Sequence, residues 1–368
     1  MVRAEQNWSV RWRFVLVVLV AAGCGGDHVP RLTTSVRQVV SQGAPGAFAF
    51  VRVGDRTQSA AAGLADVRAN IKIDSSDRFR VGSVTKTFVA TVVLQLVAER
   101  RLGLDDPVSR WVPGLLPDGA RITIRDLLSH RSGLADVADD PAVLNGSRSD
   151  WSPQRLVALM AKQPRTAAPG AVLRYSSTNY LLLGLIIERV TGRTVGSELT
   201  QRIFGPLRLA HTTFSTGPVA GEHVHGYSLP SHQGVVDARA DPRDLETRNA
   251  RWAGAAGDIV SSAGDVAHFF AGLLGGDLLP PKQLRAMEAV RSRYGLGLAI
   301  HPTPCGPAWG HTGNLNGVLT IAWSTADGRR QAVVVANAYP LPTGAEAALR
   351  RTAVVAFCGT FVREHGSS

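Results

Sequence analysis

Ala47-Phe48-Ala49-Phe50-Val51-Arg52-Val53, followed by Gly54-Asp55 and then by Thr57 to Gly63, is the stretch that decides the architecture. A period of two marks a strand whose faces meet different surroundings, and a Gly-bearing turn between two such runs predicts an antiparallel hairpin. A third strand is expected from Arg78 to Val81. Ser83 then opens a segment reaching Arg100, with Val84, Phe88, Val92 and Leu96 on one stripe and Val89, Val93 and Val97 beside it. That spacing predicts a helix with a buried face, stopped by Gly103 and Asp105-Asp106-Pro107.

Further along, the pattern becomes helical at Arg125 to His130, Ser152 to Lys162 and Asn179 to Val190, with few strand signals between about residues 105 and 230. Ala263 to Leu274 reads as a helix, Gly317 to Ser324 and Gln331 to Asn337 as strands, and Gly344 to Ala356 as a last helix. Strands at both ends with helices between them imply an α/β (α+β) fold: an antiparallel sheet flanked by helices, with an all-helical lobe inserted. The expected division is a leader over 1–23, a tether over 24–32 and one folded body over 33–368. Within that body the sheet lobe takes about 33–104 and 250–368, and the helical lobe about 105–249.

The 368 residues are 45% hydrophobic and 19% charged, which suits a packed core and excludes a fibrous or disordered chain. The formal net charge is +11, and +9 remains without the first 23 residues. Because the Arg residues are scattered, with no basic run longer than two and no aromatic interleaving, the composition argues against nucleic acid as partner. Arg11 and Arg13 precede the apolar run Phe14 to Ala22, too short to span a bilayer and ending in Ala21-Ala22-Gly23-Cys24 in the manner of a bacterial lipobox. The reading is an exported, extracytoplasmic protein held to the membrane only through a lipid on Cys24. An ordinary secretory leader is the alternative. Cys305 and Cys358 then remain either as a disulfide pair or as two buried thiols.

Three short elements could carry chemistry. Ser83-x-x-Lys86, opening a helix, sets a hydroxyl and an amine one turn apart, where the amine can assist deprotonation. Tyr175, in Tyr175-Ser176-Ser177, needs a positive neighbour to act as a base, because a free phenol titrates near 10, and Lys86 is the expected neighbour. His311-Thr312-Gly313 offers a ring of adjustable charge, a hydroxyl and a point of close backbone approach. Each also has a plain structural reading: Ser83 as a helix cap with Lys86 on the surface, Tyr175 as a packed ring, and His311 to Gly313 as a turn into a strand. His223, His225 and His232 lack a spaced carboxylate or Cys that would complete a metal site, so no metal is read from them.

Taken in order, the three elements resemble the active-site motifs of the penicillin-recognising serine hydrolases, in the branch holding class C β-lactamases and secreted D-alanyl-D-alanine carboxypeptidases. Leu127-Leu128-Ser129-His130-Arg131-Ser132-Gly133-Leu134, Pro169-Gly170, Trp252 ahead of Gly257 to Ser262, Tyr294-Gly295-Leu296-Gly297 and the Cys305 and Cys358 positions extend the resemblance over about 33 to 360. The resemblance implies the β-lactamase/transpeptidase-like fold and a Ser83 acyl-enzyme, with Lys86 and Tyr175 sharing the proton transfers. It also implies an oxyanion site at the N–H groups of Ser83 and Asn314, with Asn314 on the strand after the third motif. Thr312 would hold a substrate carboxylate, His311 would add favourable charge, Gly313 would admit the substrate, and Trp252 would wall the cleft. A peptidoglycan stem peptide or a β-lactam is the implied substrate, with no metal or organic cofactor required; a monomer is the expected state. The Cys pair and His311 in place of Lys point to the carboxypeptidase side. Two departures from the pattern stand out: Ser177 occupies the place of the family's substrate-binding Asn, with Asn179 nearby, and no Arg lies between Arg293 and Arg329 to hold a terminal carboxylate. D-alanyl-D-alanine carboxypeptidase and penicillin-binding activity is thus the leading expectation, β-lactamase or esterase/amidase action on another substrate the alternative, and a non-catalytic peptidoglycan-binding lipoprotein the last.

Overall fold

A computed structural model describes residues 28–144, 151–215, 217–232, 235–237, 241–245 and 251–359. The expected leader and Cys24 lie outside the described residues. Seven antiparallel strands form the main sheet, in the spatial order Ala299–Thr303, Gly306–Leu315, Val318–Ser324, Arg330–Ala336, Gly46–Val53, Arg56–Asp66 and Ile71–Lys72. The N-terminal hairpin thus pairs directly with the last strand, Ala47 facing Ala336 and Val51 facing Ala332. Sheet and helices together form the mixed architecture expected of the sequence.

The alternation at 47–53 acquires its meaning here. Phe48, Val333 and Val335 enter the larger core, while Ala47, Ala49, Val51, Ala332, Val334 and Ala336 enter a second core on the opposite face. Small Ala side chains on that second face let the helices His28–Ser41 and Thr343–Cys358 pack on the strands and on each other. The first of these helices begins inside the segment expected to be a tether. Leu32, Val36 and Val39 are its buried stripe.

On the other face, the helix Thr85–Ala98 lies in the middle of the molecule. The single buried face expected of it is a correction: every side chain from Thr85 to Leu94 is buried, together with Leu96. Its threonines make this possible without orphaned hydroxyls, since Thr87 Oγ1 donates to Gly297 O at 2.8 Å and Thr91 Oγ1 to Thr87 O at 2.8 Å. Phe88 stacks on Phe269 with ring centroids 3.5 Å apart. Truncating a buried Phe of this kind to Ala costs about 3–5 kcal/mol.

The stretch expected to form the inserted lobe holds the helices Ile124–Leu128, Pro153–Ala161 and Thr178–Thr191 near their expected places. It is not all-helical. Thr213–Phe214 pairs with Ile259–Ser261, which also pairs with Phe79–Arg80, giving a small sheet beside the start of the central helix. Tyr227–Ser228 pairs with Arg243–Asp244, and Ser231–His232 with Val235–Val236. Strands of two residues are too short to show alternation, so the sequence carried no sign of them.

Candidate active site

Ser83 sits in a 3-10 turn, Gly82–Val84, that runs straight into the central helix, and it is half-buried. It caps nothing by its side chain. Lys86, one turn on, is 1% exposed, and its Nζ donates to Ser83 Oγ at 2.9 Å and to Ala256 O at 2.8 Å. The reading of Lys86 as a surface residue is therefore excluded. Burial lowers this amine to about 7, opposed in part by the charge of Asp136. Near neutral pH much of it is uncharged and able to take the Ser83 proton.

The turn that presents Ala256 O is held by Asp258, whose Oδ2 accepts from Gly254 N at 3.0 Å while its own N–H donates to Gly254 O at 3.0 Å. Asp258 is wholly buried, and that burial pushes its carboxyl well up against the pull of the Arg80 charge. Trp252, just before this turn, packs on Ala253 and Leu315.

His311-Thr312-Gly313 is not a turn, and Asn314 is not on a following strand. All four belong to one strand, Gly306–Leu315, which runs past the Ser83 turn. Glycine is needed at both points of approach: a methyl group on Gly82 would lie 2.7 Å from the backbone of Asn314, and one on Gly313 would lie 2.0 Å from Val81 O and 3.0 Å from Ser83 N. Gly82 also has φ +55°, a left-handed value that other residues rarely adopt. The backbones of Ser83 and Asn314 are thus brought alongside each other, as a paired N–H site for an oxyanion requires.

His311 departs from its expected electrostatic role. It is 3% exposed, Nδ1 donates to Thr312 O, and Nε2 accepts from Tyr294 Oη at 2.9 Å. Burial first, and the neighbouring Lys86 charge second, lower it to about 3. Those two hydrogen bonds suit a neutral imidazole, so the third motif supplies no positive charge at neutral pH.

Tyr175 leaves 40% of its surface to solvent, yet its hydroxyl lies among packed groups beside Ser83. Burial raises the phenol above its ordinary value, a hydrogen bond with Ser83 opposes the rise, and the Asp136 charge adds to it. Lys86 Nζ stands 5.1 Å from the centre of the ring. The expectation that Lys86 makes Tyr175 a base is reversed: the phenol keeps its proton, and the lysine is the group poised to accept one.

Beneath Tyr175 lies a frame that the motifs alone did not reveal. His130 is fully buried and stacks on the Tyr175 ring at 4.0 Å, with Nδ1 accepting from Ser176 N at 3.2 Å. Burial, then the Lys86 and His311 charges, hold His130 well below its ordinary value. Asn179 is turned into this frame, accepting from Ser132 Oγ at 2.5 Å and meeting His130 Nδ1 at 3.2 Å. It therefore does not stand in for the family Asn. Ser177 is 6% exposed, and its N–H donates to Asp136 Oδ1 at 2.8 Å. His130 was legible as part of the Leu127–Leu134 match; Asp136 lies just beyond it and carried no signal.

Away from the cleft, Cys305 and Cys358 form a disulfide that ties the turn before the Gly306–Leu315 strand to the last helix. His225 Nδ1 meets Asp244 Oδ2 at 2.9 Å and its ring lies 5.0 Å from that of His223, while the side chain of His232 is outside the described residues.

The Beta-lactamase family model matches residues 31–357. Penicillin-binding protein 4 of Amycolatopsis lactamdurans is 29% identical over 74% of this chain and 75% of its own length. Esterase EstB of Burkholderia gladioli is 31% identical over 74% of this chain and 75% of its own. Among solved structures, a D-stereospecific amidohydrolase from Streptomyces sp. is 35% identical, with a TM-score of 0.80 covering 91% of this chain and 100% of that one.

Proposed function

The chain belongs to the Beta-lactamase family and is a serine hydrolase, and on that premise we propose that it hydrolyses small D-aminoacyl amides and esters through an acyl-enzyme on Ser83. The observation that carries this reading is the neutral, buried His311. A carboxypeptidase or a β-lactamase must hold a substrate carboxylate. Here the third motif offers Thr312 without a positive partner, and no Arg lies between Arg293 and Arg329. An amide or ester without that carboxylate does not need one. The D-stereospecific Streptomyces amidohydrolase, a D-aminopeptidase of Brucella anthropi at 28% identity and the Burkholderia esterase support the same substrate class.

In this mechanism Lys86, as the free amine, takes the Ser83 proton while Ser83 Oγ attacks the substrate carbonyl carbon. The oxyanion lies against the N–H groups of Ser83 and Asn314, which strengthens as negative charge develops. Tyr175 hands its proton to the leaving amine or alcohol and is reprotonated from Lys86. Water then attacks the acyl carbon, gives its proton back through the same groups and frees the acid. Trp252 and Gly313 shape the cleft around the acyl group.

The second reading is D-alanyl-D-alanine carboxypeptidase action, favoured by the Cys305–Cys358 bond that accompanies the strand of the third motif. One preparation decides between the two. Rates are compared on D-alaninamide, L-alaninamide and an acyl-D-alanyl-D-alanine peptide, with Ser83→Ala as control. The amidase reading requires Ser83-dependent turnover of the D-amide well above both others. Faster cleavage of the peptide installs the carboxypeptidase reading in its place.

For location, Arg11, Arg13, the apolar run to Ala22 and Cys24 support export and lipid attachment at Cys24. Labelling with a fatty-acid analogue in an expressing bacterium, against Cys24→Ala, tests this; label retained by the variant refutes it.

A further inference from the structure

Asp258 is wholly buried and Arg80 is 4% exposed, two ionisable side chains that the mechanism above does not use. Arg80 lies opposite Val260 in the small antiparallel sheet, and Ser215 N donates to Asp258 O at 3.0 Å, which carries the extended strand back to Asp258. Asp258 and Arg80 are therefore diagonal neighbours on one face of that sheet. Asp258 Oδ2 accepts from Gly254 N at 3.0 Å, and Arg80 Nη2 donates to Gly217 O at 2.7 Å. Asp258 Oδ1 and Arg80 Nε and Nη1 have no hydrogen-bond partner among the described residues. Polar groups buried with bonds unmade cost stability, and apolar side chains would fill the same space more favourably. Their presence calls for a reason other than packing.

The chain on either side of Asp258 supplies one. Two residues earlier, Ala256 O receives Lys86 Nζ at 2.8 Å. One residue later, Ile259 O accepts from Val81 N at 3.0 Å and Ile259 N donates to Thr85 Oγ1 at 3.2 Å, so the Ser83 turn is gripped from both ends. We propose that Asp258 is a positioning residue for Lys86, its bond to Gly254 N fixing the turn in the shape that aims Ala256 O at the amine. The inference rests on Lys86 as the base and is independent of the acyl group that the enzyme accepts. An uncharged amine has two N–H groups and one lone pair. With one N–H held by Ala256 O, the lone pair is free to face Ser83 Oγ and the amine keeps one orientation. A turn released from Asp258 lets the carbonyl swing away, and the amine then spreads over orientations that cannot take the proton. The Arg80 charge opposes the rise that burial imposes on Asp258, and so favours the carboxylate, the stronger acceptor for an N–H group.

The test uses the full chain and single-turnover release of p-nitrophenol from p-nitrophenyl acetate, which reports acylation of Ser83 alone. Asp258→Ala and Asp258→Asn both remove the charge that faces Arg80, and both should lower Tm by several degrees. Only the Ala variant lacks an acceptor for Gly254 N. Acylation at saturating ester should therefore fall about tenfold or more in Asp258→Ala, with the half-saturating concentration unchanged, and stay within about threefold of the unaltered enzyme in Asp258→Asn. Equal losses in the two variants, a loss that appears only as weaker binding, or full activity in Asp258→Ala overturns the assignment and leaves Asp258 a support for the fold. Should either variant fail to fold, the same pair is compared with Arg80→Met added to both, which removes the cation left without its counter-charge. Near-normal acylation by Lys86→Met would refute Lys86 as the base and this inference with it. A failure of the D-aminoacyl reading, seen as turnover of the ester but not of D-alaninamide, leaves the comparison intact.

Discussion

Lys86 Nζ lies 2.9 Å from Ser83 Oγ at the bottom of a site where the hydroxyl is half-buried and the amine is sealed. The separation of the two along one helical turn was fixed by their spacing in the chain. Sealing the amine is the work of the fold, and its consequences can be measured.

Lys86→Met should abolish acylation of Ser83, followed by intact mass with an ester substrate, and should also make the protein more stable. An amine held at about 7 against an ordinary 10.4 disfavours folding fully below pH 7, and the penalty fades as pH rises toward 10. The penalty is on the order of a few kcal/mol at about 1.4 kcal/mol per pKa unit. Thermal melts should show a Tm gain of several degrees at pH 6 that shrinks by pH 9.5. A gain that grows with pH would mean the amine is charged in the folded protein.

For a neutral ester, kcat/KM should rise through one ionisation near pH 7, that of Lys86. His311, lowered to about 3, should contribute no step between pH 5 and 7. A second step near 6 that vanishes in His311→Gln would show that the ring is charged after all.

Gly313→Ala should lower activity more than stability. The added methyl lies 2.0 Å from Val81 O and must push the strand away from the Ser83 turn. Overpacking of this sort costs about 1–3 kcal/mol, while a displacement of about 1 Å at a reacting group can lower rate about 100-fold. Near-normal turnover by a folded variant would show that the close approach is not needed.

Removing the disulfide with Cys305→Ser and Cys358→Ser should lower Tm by several degrees. The two cysteines are 53 residues apart, and a loop of that length gives an expected loss on the order of 4 kcal/mol. Identical melts of the double variant and the parent would show that packing of the last helix suffices.

How far the chain could be read follows from where its signals lie. The hairpin at 47–63 was legible because its two faces meet different cores, and the paired Ser83 and Lys86 because one helical turn joins them. The strand from Gly306 to Leu315 was hidden by its own requirements: Gly306, Pro307, Gly310 and Gly313 erase the alternation, and Gly310 and Gly313 are among the residues that let backbones meet there. The central helix looked one-sided because threonine counts as polar until its hydroxyls are seen bonded to backbone carbonyls. Asp136 could not be found by spacing, since its place at the backbone of Ser177 arises from a loop whose path is set by hydrogen bonds to 176–178.

The helices His28–Ser41 and Thr343–Cys358 cover the sheet face opposite the one that carries the Ser83 helix. A bead or a surface coupled at the exposed positions Arg37 or Gln38 of the first helix therefore grips the enzyme by its back, with the thickness of a sheet between the attachment point and the nucleophile. Immobilised in that way, the catalyst keeps its working side toward the solution.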